Sequence, residues 1–194
     1  MKDEELLRYY LPLLQPYCTP NSSILDLGCG TGLFLQILRE AGYQQVYGVD
    51  ISRFALKKTN NDSGNQSVWC QDLQSTLAAQ DQQFDCIVLL DVIEHIETPA
   101  LLLREIARAL KPGGITFITT PNANSILRYL RGSQWYALAD STHVLYYNRF
   151  SLEYLLSKSG LEPKRTITYS RIPPLRWLGT GGQLCTLAQR LVVD

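Results

Sequence analysis

Along the chain, short unbroken apolar runs alternate with longer stretches in which apolar positions recur every three or four residues. Residues 22–27 predict a buried strand. Residues 33–41 predict a helix, closed by Gly42 at the left-handed cap position. Residues 45–49 read as the next strand. Ser52 is placed to cap a helix through Phe54, Ala55 and Lys58. Residues 60–66 have turn composition and 67–70 form a short strand. Phe84–Leu90 is the strongest strand, and its near-continuous apolar character means burial on both faces, as in a parallel sheet. Thr98-Pro99 opens a helix with proline at its first position, and Leu102, Leu103, Ile106, Ala107 and Leu110 make its buried stripe. Lys111-Pro112-Gly113-Gly114 is expected to end that helix, and 115–119 to form a strand.

The alternation stops after Pro121. Residues 125–131 predict a helix, followed by an aromatic loop. Ser151 is expected to cap a helix ending at Gly160. Two β-like segments, 165–171 and 184–192, follow, joined by a connection rich in proline and glycine. Strand–helix repeats closed by a terminal β pair define a doubly wound α/β domain, whose ligands bind outside the carboxyl ends of the strands.

Composition narrows the class. The 194 residues are 45% apolar and 19% charged, enough to bury a core, which excludes a disordered chain. Eighteen basic residues balance eighteen acidic ones, so no nucleic-acid partner is expected. The charge is uneven, however. Residues 1–110 hold 8 Lys and Arg against 14 Asp and Glu (−6), and 111–194 hold 10 against 4 (+6), so two sides of one cleft and a chance distribution both fit. No targeting signal is visible, and no apolar run approaches the roughly 18–20 residues of a membrane span. The five cysteines show no CxxC spacing. Cys29, Cys70 and Cys86 fall in or beside strands, where a reduced thiol packs as a small apolar group. A reducing cytoplasmic location and no thiolate zinc site follow as expectations.

The chemistry gathers at strand ends. The first strand runs into Leu25-Asp26-Leu27-Gly28-Cys29-Gly30-Thr31-Gly32, a turn whose glycines admit close backbone approach to a ligand. Its spacing is GxGxG with Leu33 where the dinucleotide fingerprint needs a third glycine, which counts against a nicotinamide or flavin cofactor. Asp26 would repel a pyrophosphate and attract a cation. Asp50 ends the second strand 22 residues after Gly28, where a carboxylate can accept both hydroxyls of a ribose. Asp72 follows the third strand and Asp91 the fourth. Four strands thus bring carboxylates to one edge, although any one of them alone reads equally well as a cap or turn residue.

These residues resemble the class I S-adenosylmethionine-dependent methyltransferases. The carriers are LDLGCGTG (25–32), GVD (48–50), QDL (71–73), FDCIVLLDVIEHIETP (84–99), LKPGG (110–114) and TTPN (119–122), in family order across about residues 20–160. The resemblance is nearest to the small-molecule branch that includes the ubiquinone-biosynthesis O-methyltransferases, and residues 143–151 look like that branch too. It implies a Rossmann-like, seven-stranded, mostly parallel sheet with a terminal antiparallel pair. It also implies one domain over 1–194: a helical cap (1–20), a cofactor-binding half (20–121), an acceptor lid (122–150), and the last helix and strands (151–194). The cofactor would be S-adenosyl-L-methionine. Gly28, Cys29 and Gly30 would pass their backbone against its methionine part, with Asp26 near the ammonium. Asp50 would hold the ribose, Ile51 would pack on the adenine, Asp72 and Leu73 would meet the adenine edge, and the Leu90 carbonyl would face the ammonium or sulfonium.

Methyl transfer from a sulfonium needs alignment, and a hydroxyl or ammonium acceptor must also lose a proton. The two histidines, His95 and His143, are the candidate bases, with a packing role as the alternative. Asp91, Glu94 and His95 lie at i, i+3 and i+4, with His143 as a possible fourth ligand; a divalent ion is a minor alternative there, and no metal is assigned. Tyr9, Tyr10, Trp135, Tyr136, Tyr146 and Tyr147 are candidate walls for an aromatic acceptor, or simply pack the lid. Arg128, Arg131, Arg149 and Arg176 point to an anionic one. The apolar, basic segment 173–179 reads as a surface contact or an ordinary loop. An RNA or protein methyltransferase and a non-catalytic cofactor-binding protein stay open as alternatives, and oligomeric state is not readable.

Overall fold

The computed structural model describes residues 4–53, 68–170 and 180–192. Its centre is a seven-stranded sheet of β1 (Ser23–Leu27), β2 (Gln45–Asp50), β3 (Val68–Cys70), β4 (Phe84–Leu90), β5 (Leu110–Pro121), β6 (Leu161–Tyr169) and β7 (Gln183–Arg190), in the order β3-β2-β1-β4-β5-β7-β6. β1 to β5 pair in parallel, and β7 runs antiparallel to both β5 and β6. The expected doubly wound, mostly parallel sheet with a terminal antiparallel pair is the architecture observed. The order reverses between β1 and β4, the point at which such sheets open a crevice at their carboxyl ends.

Helices cover both faces. One core packs α1 (Glu4–Leu14) and α2 (Leu33–Glu40) against Ile24, Cys86, Val88 and Phe117. The other packs α3 (Leu73–Ala78), α4 (Pro99–Ala109) and α7 (Arg149–Lys158) against Leu25, Leu27, Ile87 and Leu89. Alternate residues of β1 and β4 therefore enter opposite cores, which is why both segments read as unbroken apolar runs. The remaining helices, α5 (Ile126–Arg131) and α6 (Tyr136–Ala139), lie between β5 and α7 in sequence.

Four local expectations need correction. Helix α4 ends at Ala109, and Lys111 to Gly114 belong to an irregular start of β5: Phe84 pairs with Leu110, but Cys86 pairs with Ile115. Helix α7 is capped by Asn148, whose side-chain oxygen accepts from the Ser151 amide (2.9 Å), while the Ser151 hydroxyl accepts from the Asn148 amide (3.0 Å). Ser151 is thus the third helical residue of a capping box rather than the cap. Cys70 is exposed, because β3 is an edge strand, whereas Cys18, Cys29, Cys86 and Cys185 are buried thiols. Tyr9 and Tyr10 wall no acceptor site. Tyr10 is buried on the Phe117 ring (5.4 Å) and Tyr9 packs on Tyr169 (4.7 Å), so they fasten α1 to the sheet. The helix through Phe54, Ala55 and Lys58, the turn over 60–66, and Arg176 with segment 173–179 lie outside the described residues.

Candidate active site

The turn after β1 is held by β2. The amides of Gly28 and Cys29 both donate to the Val49 carbonyl (2.7 and 3.0 Å). Gly28 has φ +79°, and a Cβ there would come within 2.5 Å of a Val92 methyl. Glycine is required for both reasons. Gly48 is needed on contact grounds alone, since a Cβ would reach 2.6 Å from Leu35.

Asp50 joins the two strand ends. One oxygen accepts from the Gly30 amide and the other from the Ser52 amide, both at 2.8 Å. A carboxylate offers about four lone-pair sites, so Asp50 is oriented by backbone donors without being exhausted as an acceptor. Asp72 caps α3 through the Ser75 amide (2.8 Å) and also faces the crevice. Between them opens a cavity of about 360 Å³, within the size range of small-molecule sites. Gly28, Asp50, Ile51, Asp72 and Leu73 line it on one side, and Val92, His95, Ile96 and Leu102 on the other. Ile51 is 76% exposed, an apolar side chain set at the mouth. Of the remaining predicted residues, Asp26, Cys29 and Leu90 are buried beside the cavity, and Gly30 is half-buried in the turn; none of the four is on its wall.

The carboxyl end of β4 carries the second half of the site. Asp91 adopts φ +54°, unusual for a residue with a side chain. Its amide donates to the Thr119 carbonyl (3.1 Å). Its Oδ1 accepts from the Thr119 hydroxyl (3.1 Å) and from the Gln183 amide group, across 92 residues of sequence. A turn of 3-10 helix, Ile93–His95, follows. Glu94 is 1% exposed, and neither carboxylate oxygen has a hydrogen-bond partner within 3.5 Å. Burial, and then the charge of Asp91, push its carboxyl up from 4.5 to about 7, opposed by its own backbone amide, the nearby Thr120 hydroxyl and His95.

The lid closes onto this turn through backbone contacts. The Glu94 carbonyl accepts from the amides of Val144 (2.9 Å) and Leu145 (3.1 Å), and His95 Nδ1 lies 3.1 Å from the Thr142 carbonyl. His143 Nδ1 lies 2.8 Å from the Ala137 carbonyl. A carbonyl only accepts, so each Nδ1 donates there, which leaves Nε2 as the other ring nitrogen; that of His143 lies 3.8 Å from Asp140 Oδ2. The two rings stand 4.7 Å apart, and the exposed His95 faces the cavity. Glu94, His95 and His143 place their donor atoms within 4.8 Å of one another, a set able to hold a small divalent cation. Asp91, counted with them on helical spacing, is not in this group. Its left-handed backbone precedes the turn and its Oδ1 is taken up by Thr119 and Gln183.

Of the lid aromatics, Trp135 is fully buried and Tyr147 nearly so, while Tyr136 (46%) and Tyr146 (39%) are exposed. Burial, then the charges of Asp91 and Glu94, raise the Tyr136 phenol; burial and Glu94 raise Tyr147. Arg128 donates to the Ala123 carbonyl (2.6 Å) beneath the Trp135 ring, Arg149 pairs with Glu153 (2.9 Å), and Arg131 is an exposed residue at the end of α5. Thr142 and Gln183 are site residues that no spacing pattern singled out, and Thr119 stood only within the TTPN motif, with no role attached. Their only signal is position at strand ends or beside His143.

A glycine turn, a carboxylate at the second strand end and a crevice at the reversal of a seven-stranded sheet with an antiparallel β7 define the Rossmann-like methyltransferase fold. Comparison with known proteins agrees. The family described as a methyltransferase domain matches residues 2–165. The chain belongs to that family, in the class I S-adenosylmethionine-dependent division marked by its ordered motifs. It is 36% identical over 108 residues to a ubiquinone biosynthesis O-methyltransferase of Idiomarina loihiensis, covering 54% of this chain and 44% of that protein. It is 32% identical over 123 residues to the mitochondrial ubiquinone biosynthesis O-methyltransferase of Dictyostelium discoideum, covering 56% and 37%. The chain thus spans less than half the length of these curated relatives. A SAM-dependent methyltransferase from Archaeoglobus fulgidus superposes with TM-score 0.78 at 21% identity, covering 97% of this chain and 95% of that one. A magnesium protoporphyrin IX methyltransferase from Synechocystis PCC 6803 with bound SAH superposes with TM-score 0.72 at 18% identity, covering 97% and 83%. Among the described residues, no helix is long and apolar enough to cross a membrane.

Proposed function

We propose that this chain moves the methyl group of S-adenosylmethionine to an oxygen of a small-molecule acceptor, with His95 as the base. The observation that carries this reading is one cavity walled by the Gly28 turn, Asp50 and His95 together. The residues present suit the cofactor. The Gly28 and Gly30 backbone would admit its methionine part, with Cys29 buried behind and Asp26 near the ammonium. Asp50, with lone pairs to spare, would take the ribose hydroxyls. Ile51 and Leu73 would sandwich the adenine at the mouth. Asp72 would meet the adenine edge, and the Leu90 carbonyl would face the charged sulfur.

When bound, the cofactor supplies an already activated methyl group. The protein's part is to align the acceptor and take its proton. The cofactor would supply the methyl group to the acceptor oxygen, and His95 would take the hydroxyl proton released there. Thr142 holds its Nδ1, and the His143 ring beside His95 limits its rotation. Oxygen is favoured as the accepting atom by the similarity to ubiquinone biosynthesis O-methyltransferases, with His95 on the cavity wall to take a hydroxyl proton.

The test is calorimetric titration with S-adenosylmethionine, S-adenosylhomocysteine and NAD, repeated on Asp50→Ala. Binding of both sulfur compounds but not NAD, weakened in the variant, is expected. NAD binding, or no binding of either sulfur compound, would overturn the reading.

A further inference from the structure

Asp91 occupies an unfavourable backbone region, of the kind that persists where surrounding structure holds it. That structure is visible: Thr119 and Gln183 both donate to Oδ1, and they come from β5 and β7. The sheet order places those strands on the far side of β4 from β1, β2 and β3, which form the cofactor crevice. Asp91 therefore leans away from the cavity, and it is absent from the cavity wall. Among the described residues, its Oδ2 has no hydrogen-bond partner, and the side chain is half-buried rather than enclosed.

A second feature lies close by, since Asp91 and Glu94 both act on Tyr136. The carboxylate of Glu94, 1% exposed, has both oxygens unpartnered, and beside it the hydroxyls of Thr120 and Tyr147 are buried without partners. Buried polar groups left this way call for a polar occupant. Asp91 acts on Glu94, both act on Tyr136, and neither carboxyl has a lysine or arginine partner among the described residues. Of the arginines that the charge asymmetry pointed to, Arg128 and Arg149 are engaged elsewhere, at Ala123 and Glu153, and Arg131 is exposed at the end of α5.

We propose that the acceptor presents an O–H or N–H donor to Asp91 Oδ2, carries no negative charge at that end, and is aligned there because Thr119 and Gln183 act as positioning residues for Asp91. This rests on the methyl-transfer reading and specifies its substrate class. At the end of the acceptor that meets Asp91, apart from the oxygen that takes the methyl group, a protonated amine suits best, a neutral hydroxyl less well, and a carboxylate is repelled.

The experiment compares benzylammonium, benzyl alcohol and benzoate, near-isosteric probes of differing charge, by calorimetric titration with and without saturating S-adenosylhomocysteine. Affinity should fall in that order, with at least about a tenfold gap between the first and last. Asp91→Asn should remove most of the gap. Gln183→Leu should narrow it while leaving S-adenosylhomocysteine affinity and melting temperature close to wild type, a separation that a merely structural role would not give. Equal affinities, tighter benzoate, or no binding of any probe would overturn the proposal. So would a gap that survives Asp91→Asn, or one that Gln183→Leu leaves intact. Failure to bind S-adenosylhomocysteine would instead sink the methyl-transfer reading, and the cofactor-free arm would still report on Asp91.

Discussion

Glu94 couples the acceptor side of the site to stability, and Glu94→Gln exposes the coupling. The folded protein holds this carboxyl at about 7, against 4.5 when it is free in water. Below pH 4.5 the group is protonated in both states and contributes no pH dependence. Between 4.5 and about 7 the folded state retains a proton that the unfolded state has released, so stability falls as pH rises, and above about 7 the loss is complete. Each pH unit separating the two values is worth about 1.4 kcal/mol, so the full effect is about 3 kcal/mol, an upper figure for an isolated buried group. Gln is isosteric and does not titrate. The variant should match the wild type at pH 4.5 and exceed it by up to that amount at pH 8.5. For a chain of this size the difference corresponds to about 6–12 °C in melting temperature. Urea unfolding of both proteins at half-unit pH intervals measures it directly. Parallel stability curves would refute the reasoning, and would mean that Glu94 is charged in the folded state with a cation beside it.

Other outcomes follow from the same geometry. Gly28→Ala places a methyl group against Val92 at a left-handed position, and should abolish S-adenosylmethionine binding in a titration even where circular dichroism shows folded protein. His95→Ala should lower kcat by about 10²–10⁴-fold with cofactor affinity retained, measured by transfer of labelled methyl groups; unchanged kcat would remove His95 from the base role. Dialysis against EDTA should leave that activity intact if the proton goes to His95, and a loss restored by a divalent metal would reassign the Glu94, His95 and His143 group. In a thiol-labelling assay only Cys70 should react in the folded state, with Cys18, Cys29, Cys86 and Cys185 reacting on unfolding. Asn148→Ala should cost about 1 kcal/mol through loss of the α7 cap, read as a lowered urea midpoint.

The residues of the Gly28 turn and the second strand end that line the cavity were legible in the sequence because their positions are set locally. Gly28 and Asp50 each sit within a residue or two of a strand end, and strand ends are marked by apolar runs. The same local logic misplaced the start of α7, since Ser151 is a good cap residue by type and only the structure shows Asn148 in that place. Lys111 to Gly114 look like a helix stop and a turn. They are that, but the strand has already begun at Leu110 because Phe84 supplies a pairing partner that sequence spacing does not reveal. Cys70 was misread because an edge strand and a central one have the same apolar pattern over three residues. The acceptor side was the least legible. Gln183 reaches Asp91 only because β7 inserts beside β5, and Thr142 reaches His95 only because the lid folds back; neither contact has a signature along the chain.

The position of β7 also sets an order of assembly during synthesis. It lies between β5 and β6 but is made after both, so the growing chain carries β5 as an open edge until the last strand leaves the ribosome. Ile115, Phe117 and Ile118 lie along that unpaired edge in the interval, an invitation to pair with another nascent chain. The cofactor crevice, built from β1 to β4, needs none of this and can form early. Asp91 cannot be fastened until Gln183 arrives, so on the proposed reading the cavity would form in a nascent chain before the contact that positions the acceptor.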